Sequence, residues 1–261
     1  MANSKNKFPK HLERDMELIY KQAITRLGRT YLPEIKRAYR DSATLQEFNA
    51  RLNILYNRQI DTIIAGALLN KVDKNVEVIS AWAFSQTKKA INNLRNIDKV
   101  TRIASVTINQ ESTLYGDFVN SYKTFNKNLV KTLGREYIDE VSNLAANTYT
   151  QGLSVKDLTK QLLDYTEGDI NKAKFWARDQ VGDAFSAFTK NQQTSAGITN
   201  YIWQTVEDNR VRTTHGELQN RVFSWASGAA STGLLSKPGA AHPGEDYNCR
   251  CYPEPTTMVI A

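Results

Sequence analysis

Cysteine is nearly absent from this chain: there are two among 261 residues, Cys249 and Cys251. Two are too few for a disulfide framework, and a Cys-x-Cys pair would close a very small strained ring if oxidised, so a reduced pair in a cytosolic setting is expected. Long hydrophobic runs are missing as well. No stretch reaches the roughly 18 apolar residues of a membrane span, and the opening MANSKNKFPKHLERD has no apolar centre of the signal-peptide kind. A soluble protein made in the cytoplasm is the expectation. Histidine is scarce, at three residues. One of these, both cysteines and an arginine fall together in HPGEDYNCRCY, His242 to Tyr252.

Proline has the most informative absence. Pro9 and Pro33 lie near the start and Pro238, Pro243, Pro253 and Pro255 near the end, with none from 34 to 237. Proline interrupts helices, so this interval favours them. Apolar spacing agrees. Leu12, Met16, Ile19, Ala23 and Leu27 recur at three and four, as do Leu45, Phe48, Leu52, Leu55, Gln59 and Ile63 with one polar interruption. Val76, Ile79, Trp82 and Ala83 mark a third helix. Val119, Tyr122, Phe125, Leu129, Leu133, Tyr137, Val141 and Leu144 make one stripe, predicting a long helix from about 113 to 148, broken or bent near Gly134.

Ser154 with Asp157 reads as a helix start, and Asp169 as the cap of a further helix lined by Ala173, Trp176, Val181, Ala184 and Phe188. Gly197 ends the helical part. Beyond it, ITNYIWQT and RVFSW read as short strands among Gly-, Ala- and Ser-rich loops. The fold class is mainly α: an extended helical body, then a small loop-rich α+β module with short antiparallel strands. Residues 1–150 read as a basic helical region, and 151–261 as helices to 196 followed by the module at 197–261. Trp82, Trp176, Trp203 and Trp225 are expected in cores.

Charge is unevenly placed. Residues 1–100 carry 18 Lys+Arg against 10 Asp+Glu, 101–200 carry 11 against 11, and the remainder 5 against 6. All of the net +7 is therefore N-terminal. Lys5, Lys7, Lys10, Arg14, Lys21, Arg26, Arg29, Lys36, Arg37 and Arg40 are the candidate partner-binding residues, for nucleic acid or an acidic protein surface.

In the last third, Trp203, Asp208, Arg210-Val-Arg212, His215, Leu218 and Phe223 are followed by Pro-Gly-Glu-Asp and by Asn248-Cys249-Arg250-Cys251, closed by Pro253. With the preceding ARDQVGDAFSAFTKNQQTSAGITNYIW, this compound pattern resembles the phage Mu F-like head morphogenesis family over roughly residues 150–261. The resemblance implies a minor capsid protein of a tailed bacteriophage. Such a protein is assembled in the host cytoplasm and sits in the virion head near the portal, supporting procapsid assembly and DNA packaging or ejection. Its partners would be portal, capsid or scaffold proteins, with double-stranded DNA a further candidate. Many relatives carry Cys-x-x-Cys where this chain has Arg212-Thr-Thr-His215, and often a glycine near Asn220, whose left-handed turn asparagine can also adopt.

Three chemistries compete for the cluster, and the expected one is a structural clasp with no cofactor, zinc being the possible exception. As a clasp, Asp208, Arg210, Arg212, His215, Asn248, Cys249, Arg250 and Cys251 would pin loops through ion pairs, with the cysteines as small buried groups. As a metal site, His215, His242, Cys249 and Cys251 offer a zinc-type donor set, provided that the backbone bends to bring alternate cysteines to one side. As a hydrolase, for example a nuclease, His215 would need Asp208 or Glu217, or Cys249 would need His242. No phosphate-cradling glycine loop or paired metal-binding carboxylates accompany them, so the chain is expected not to be an enzyme.

Overall fold

The computed structural model describes residues 8–63, 66–98 and 113–258. Lys5 and Lys7, and the side chains of Gln59 and Ile63, lie outside the described residues. Long helices come first: α1 Lys10–Asp41, α2 Leu45–Ile63, α3 Ala67–Asp98, α4 Thr113–Thr150 and α5 Val155–Ser195. The short helix α6, Thr213–Gly216, and the strands β1 Asn200–Gln204, β2 Val222–Ser224 and β3 Tyr252–Thr256 follow. The chain is mainly α with a small α+β end, as its proline distribution implies. No described helix is long and apolar enough to cross a membrane.

Two compact units arise, and neither is continuous in sequence. One comprises Met1–Arg14, Asn75–Tyr122 and Arg178–Ala261; the other comprises Asp15–Lys74 and Lys123–Ala177. Because α1, α3, α4 and α5 each contribute to both, a cut at residue 150 does not coincide with this division.

In the second unit the predicted stripe of α1 is buried, and tyrosines extend it. Tyr20 donates to Asn126 Oδ1 at 3.0 Å, Tyr31 pairs with the Ser142 hydroxyl at 2.8 Å, and Tyr39 donates to the Leu153 carbonyl at 2.7 Å. Each buries an aromatic ring while its hydroxyl keeps a partner, as a buried tyrosine requires. Pro33 sits inside α1 rather than ending it. It faces solvent, where water can take the carbonyl that its missing N–H abandons.

The stripe of α4 departs from the expected one. Phe125 is 55% exposed, while Asn126 and Val130 are fully buried. Over 38 residues a 3.6-residue turn drifts against any fixed spacing, so the buried face moves by one position. The helix is unbroken at Gly134, a small residue on the buried side.

The start of α5 is the expected one: the Ser154 hydroxyl accepts the Asp157 N–H at 3.2 Å while Asp157 Oδ2 accepts the Ser154 N–H at 3.1 Å. Asp169 starts no second helix. It lies inside a single 41-residue α5 and is buried there beside Tyr165. At the other end Gly197 takes φ +80°, and Ile198 N–H closes back on the Gln193 carbonyl at 2.9 Å, a left-handed stop.

The sheet has β1 at its centre, in the order β2-β1-β3, antiparallel throughout. β1 and β2 coincide with the two expected strands. β3, YPEPT, is a strand beyond the two expected, although two prolines argue against one. An edge position resolves this. Pro253 and Pro255 pair with Trp203 and Tyr201, two residues apart and so facing the same way. The Pro253 carbonyl accepts Gln193 Nε2 from α5 at 3.0 Å, away from the ladder, where a proline's missing N–H does no harm. Tyr201, Trp203, Leu218, Phe223, Trp225, Ala229, Cys249 and Cys251 form the module's core. Trp203 and Trp225 are therefore core residues as expected; Trp82 and Trp176 are half-buried.

Candidate functional site

The site is built on one face of α5. Asp179, Gly182 and Asp183 share it, and Gly182 has no side chain because none fits: a Cβ there would lie 2.8 Å from the Cys249 carbonyl and 2.9 Å from that of Gly244. The loops of 236–250 thus lie directly on the helix. Lys237 pairs with Asp179 at 3.0 Å and Asp183 at 2.8 Å, and Asp179 also accepts the Asn248 N–H at 2.9 Å. Asn248 turns the chain with φ +48°. Burial outweighs the lysine at Asp183 and raises its pKa to about 6; burial pulls Lys237 down, but its two carboxylates prevail and leave it raised. The two directions are compatible: burial disfavours the charged form of Asp183, while two carboxylates around one ammonium favour the charged form of Lys237.

Asp246 is the hub of the loops. Fully buried, it accepts the Lys237 N–H at 2.7 Å and the Tyr247 N–H at 2.9 Å on Oδ1, and the Ser236 N–H at 3.1 Å and His215 Nε2 at 2.9 Å on Oδ2. Arg212 Nη1 adds an ion pair at 3.3 Å, and Arg212 Nη2 donates to the Tyr247 carbonyl. Burial would raise this carboxyl, but the donors outweigh it and hold the pKa below the usual carboxylate range.

Because Asp246 can only accept, His215 Nε2 carries a proton, and Nδ1 is the atom that faces the sulfurs. Nδ1 lies 3.5 Å from Cys249 Sγ and 3.6 Å from Cys251 Sγ. The bend that alternate cysteines need is present. Both precede β3, and Cys249 Sγ accepts the N–H groups of Gly244 and Cys251, each at 3.4 Å. The cysteines are buried and not joined in a disulfide. Burial opposes charge on Cys249, yet hydrogen bonds from Cys251 and His215 hold its pKa well below the thiol range. The Cys249 hydrogen bond, then burial, push Cys251 well above it. Burial pulls His215 down, and the hydrogen bond and charge of Cys249, then those of Asp246, leave it raised.

A second knot lies next to the first. Asp208 accepts Arg250 Nη2 at 2.8 Å, Lys10 Nζ at 2.9 Å and the Arg210 N–H at 3.1 Å, while Arg210 reaches Glu13 at 3.5 Å. A small pocket between the knots is lined by Arg210, Arg212, His215, Cys249, Arg250 and Cys251, among others.

All eight cluster residues expected from sequence are therefore in this region. Three of the four metal candidates, His215, Cys249 and Cys251, place donor atoms within 4.8 Å of one another. His242 is not one of that group. Its Nδ1 meets the Tyr201 hydroxyl at 3.0 Å and its Nε2 meets Lys190 Nζ at 3.0 Å. The ammonium can only donate, so Nδ1 carries the proton. Glu217 is exposed, and neither Asp208 nor Glu217 is the carboxylate on His215; Asp246 is. Asp246, Glu245, Lys237, Asp179 and Asp183 were not among the predicted site residues. Glu245, which caps the 241–242 turn through two N–H groups, and Asp246 stand in the quoted PGED run. The signal was their adjacency to the cysteines, but charge type alone does not say which carboxylate turns inward.

Residues 139–253 match the protein family described as Phage Mu protein F like protein. Over these residues the chain is similar to that family. The matched stretch contains every site residue from Asp179 to Cys251. An "Uncharacterized protein" of Haemophilus influenzae strain Rd is 34% identical over 133 residues, 51% of this chain. The chain spans 28% of that relative's length. No solved structure matches the chain. Within the Mu F-like stretch, Asn220 takes φ +63°. That is the left-handed conformation that glycine takes most readily and that asparagine tolerates.

Proposed function

We propose that this chain is a head morphogenesis protein of a tailed bacteriophage. In this reading it is a minor capsid component of the virion that associates with the portal and supports procapsid assembly and DNA packaging or ejection. The observation that carries it is the Mu F-like match over 139–253. The interlocked ion pairs of that stretch support a structural part: their charged groups face one another rather than a substrate. The outer side of α1 supplies a partner surface. Arg14, Lys21, Arg29, Lys36 and Arg40, at spacings of seven, eight, seven and four, share one side, with Arg26 and Arg37 flanking it. Lys10 is excluded, being engaged by Asp208. Apart from Leu18, which is 49% exposed among them, the apolar residues between them face the core, so this surface recognises an acidic partner mainly by charge, and the portal is the partner proposed.

Particle fractionation tests the reading: the chain should sediment with assembled heads and be captured by portal protein. Reversing Arg29, Lys36 and Arg40 to Glu should abolish capture. Absence from heads overturns the proposal, and a salt-dependent DNA mobility shift without portal capture replaces the portal with DNA. The linear arrangement Cys249–His215–Asp246 gives a hydrolase reading its one specific support. Nucleic-acid cleavage by the wild type that disappears in His215→Ala would establish it.

A further inference from the structure

His215, Cys249 and Cys251 bring one nitrogen and two sulfurs to a single point, and their spacing matches a known geometry. A tetrahedral zinc ion holds sulfur at about 2.3 Å and imidazole nitrogen at about 2.0–2.1 Å, which places a bound N and S roughly 3.5–3.6 Å apart. Nδ1 lies 3.5 Å from one sulfur and 3.6 Å from the other. A hydrogen-bonded pair fits this arrangement less well, since one Nδ1 proton cannot serve two sulfurs equally. The surroundings are those of a metal thiolate. Cys249 Sγ accepts two backbone N–H groups, and Asp246 fixes the histidine tautomer by taking Nε2–H at 2.9 Å. That carboxylate–histidine arrangement orients the ring so that its Nδ1 lone pair points at the metal. Two thiolates and a neutral imidazole together balance the charge of a divalent ion.

We infer that His215 Nδ1, Cys249 Sγ and Cys251 Sγ hold a zinc ion, with water or a small anion from the arginine-lined pocket as its fourth ligand. Loading releases the protons that the two sulfurs and Nδ1 share, two bonds to sulfur and one to nitrogen form, and no redox change occurs. The ion would join α6 to the segment entering β3. This inference rests on the geometry of the cluster and stands whether or not the head morphogenesis reading does.

Metal analysis of the untagged full chain, purified with zinc present, should give about one zinc per chain. Cobalt substitution should give intense ligand-field bands with thiolate-to-cobalt charge transfer, and thiocyanate should shift them. The double variant Cys249→Ser/Cys251→Ser should lose the metal. Cys251→His, which keeps three donors, should retain cobalt with the thiolate charge transfer roughly halved. Asp246→Asn should weaken zinc binding about 10- to 100-fold. Wild type that takes up no zinc from excess overturns the inference, as does zinc undiminished in the double variant or charge transfer unchanged in Cys251→His. Bands that thiocyanate leaves unmoved overturn the exchangeable fourth ligand.

Discussion

The unit built from 15–74 and 123–177 and the C-terminal module solve the same problem by opposite means. The first closes a broad apolar face. Leu27, Tyr31, Ile35, Val130, Tyr137, Ile138, Val141 and Leu158 are all almost wholly buried, and the tyrosine hydroxyls meet single polar partners such as Asn126 and Ser142. The module has short strands and few large side chains, so it fills its centre with two tryptophans and fastens its loops with buried charge. Hydrophobic burial is non-directional and tolerates exchange of shape. A charge hub does not, because each donor aimed at Asp246 loses its partner at once if the charge is removed.

That contrast is tested most severely by Asp246→Asn, which keeps volume and shape. Leaving Arg212 and His215 against a neutral amide should cost about 3 to 5 kcal/mol, measured by denaturant unfolding of the module. The wild-type contribution also has a definite pH window. With its folded pKa below the usual carboxylate range, Asp246 stabilises the protein at pH above that range, and the contribution disappears as pH falls through the depressed value. A variant as stable as the parent at neutral pH would put the module on the same footing as the helices. In the helical unit the corresponding break is Leu158→Ala, a truncation at a fully buried position, expected to cost about 2 to 5 kcal/mol, whereas Leu158→Met should cost less than about 1.5 kcal/mol. Equal losses from both would show that shape matters there as strictly as charge does in the module.

Legibility in the sequence follows the same division. Apolar periodicity is a local signal, so the long helices were readable, along with the Ser154 cap and the stop at Gly197. Where reading failed in the body, a local cue was outvoted by packing. Asp169 looks like a cap but is carried inside α5, and Pro33 is tolerated on the solvent side of α1. In the module the cluster's membership was visible, since unusual residues crowd together, but its wiring was not. Which carboxylate meets His215 depends on how a loop more than thirty residues away folds back. β3 was hidden by prolines that only an edge strand accepts, and the role of Gly182 by a contact with residues more than sixty positions distant.

Gly182→Ala probes the seam between helix and loops. The added methyl would meet two backbone carbonyls, which cannot rotate away as a side chain could. Overpacking of this kind costs about 1 to 3 kcal/mol, although alanine is the better helix former by about 1 kcal/mol. A net loss in thermal stability is the expected result, and a rise would mean that the loops do not rest on α5.

The smallest effect concerns Asp183, and its interest lies in sign. Its folded pKa of about 6 exceeds the ordinary carboxylate value of 3.8, so between these the folded state holds a proton that the unfolded chain has released. Stability from this group is therefore present at low pH and is lost as pH rises from about 4 to about 6, the reverse of Asp246. Asp183→Asn removes the titration. It also removes the ion pair to Lys237 at 2.8 Å, while Asp179 still holds that ammonium at 3.0 Å. The difference in unfolding free energy between wild type and variant should consequently shrink as pH is raised through this window and level off above it. If the difference instead grows with pH, Asp183 is ionised throughout, and the charges on α5 are matched to Lys237 as fully as those around Asp246 are to their donors.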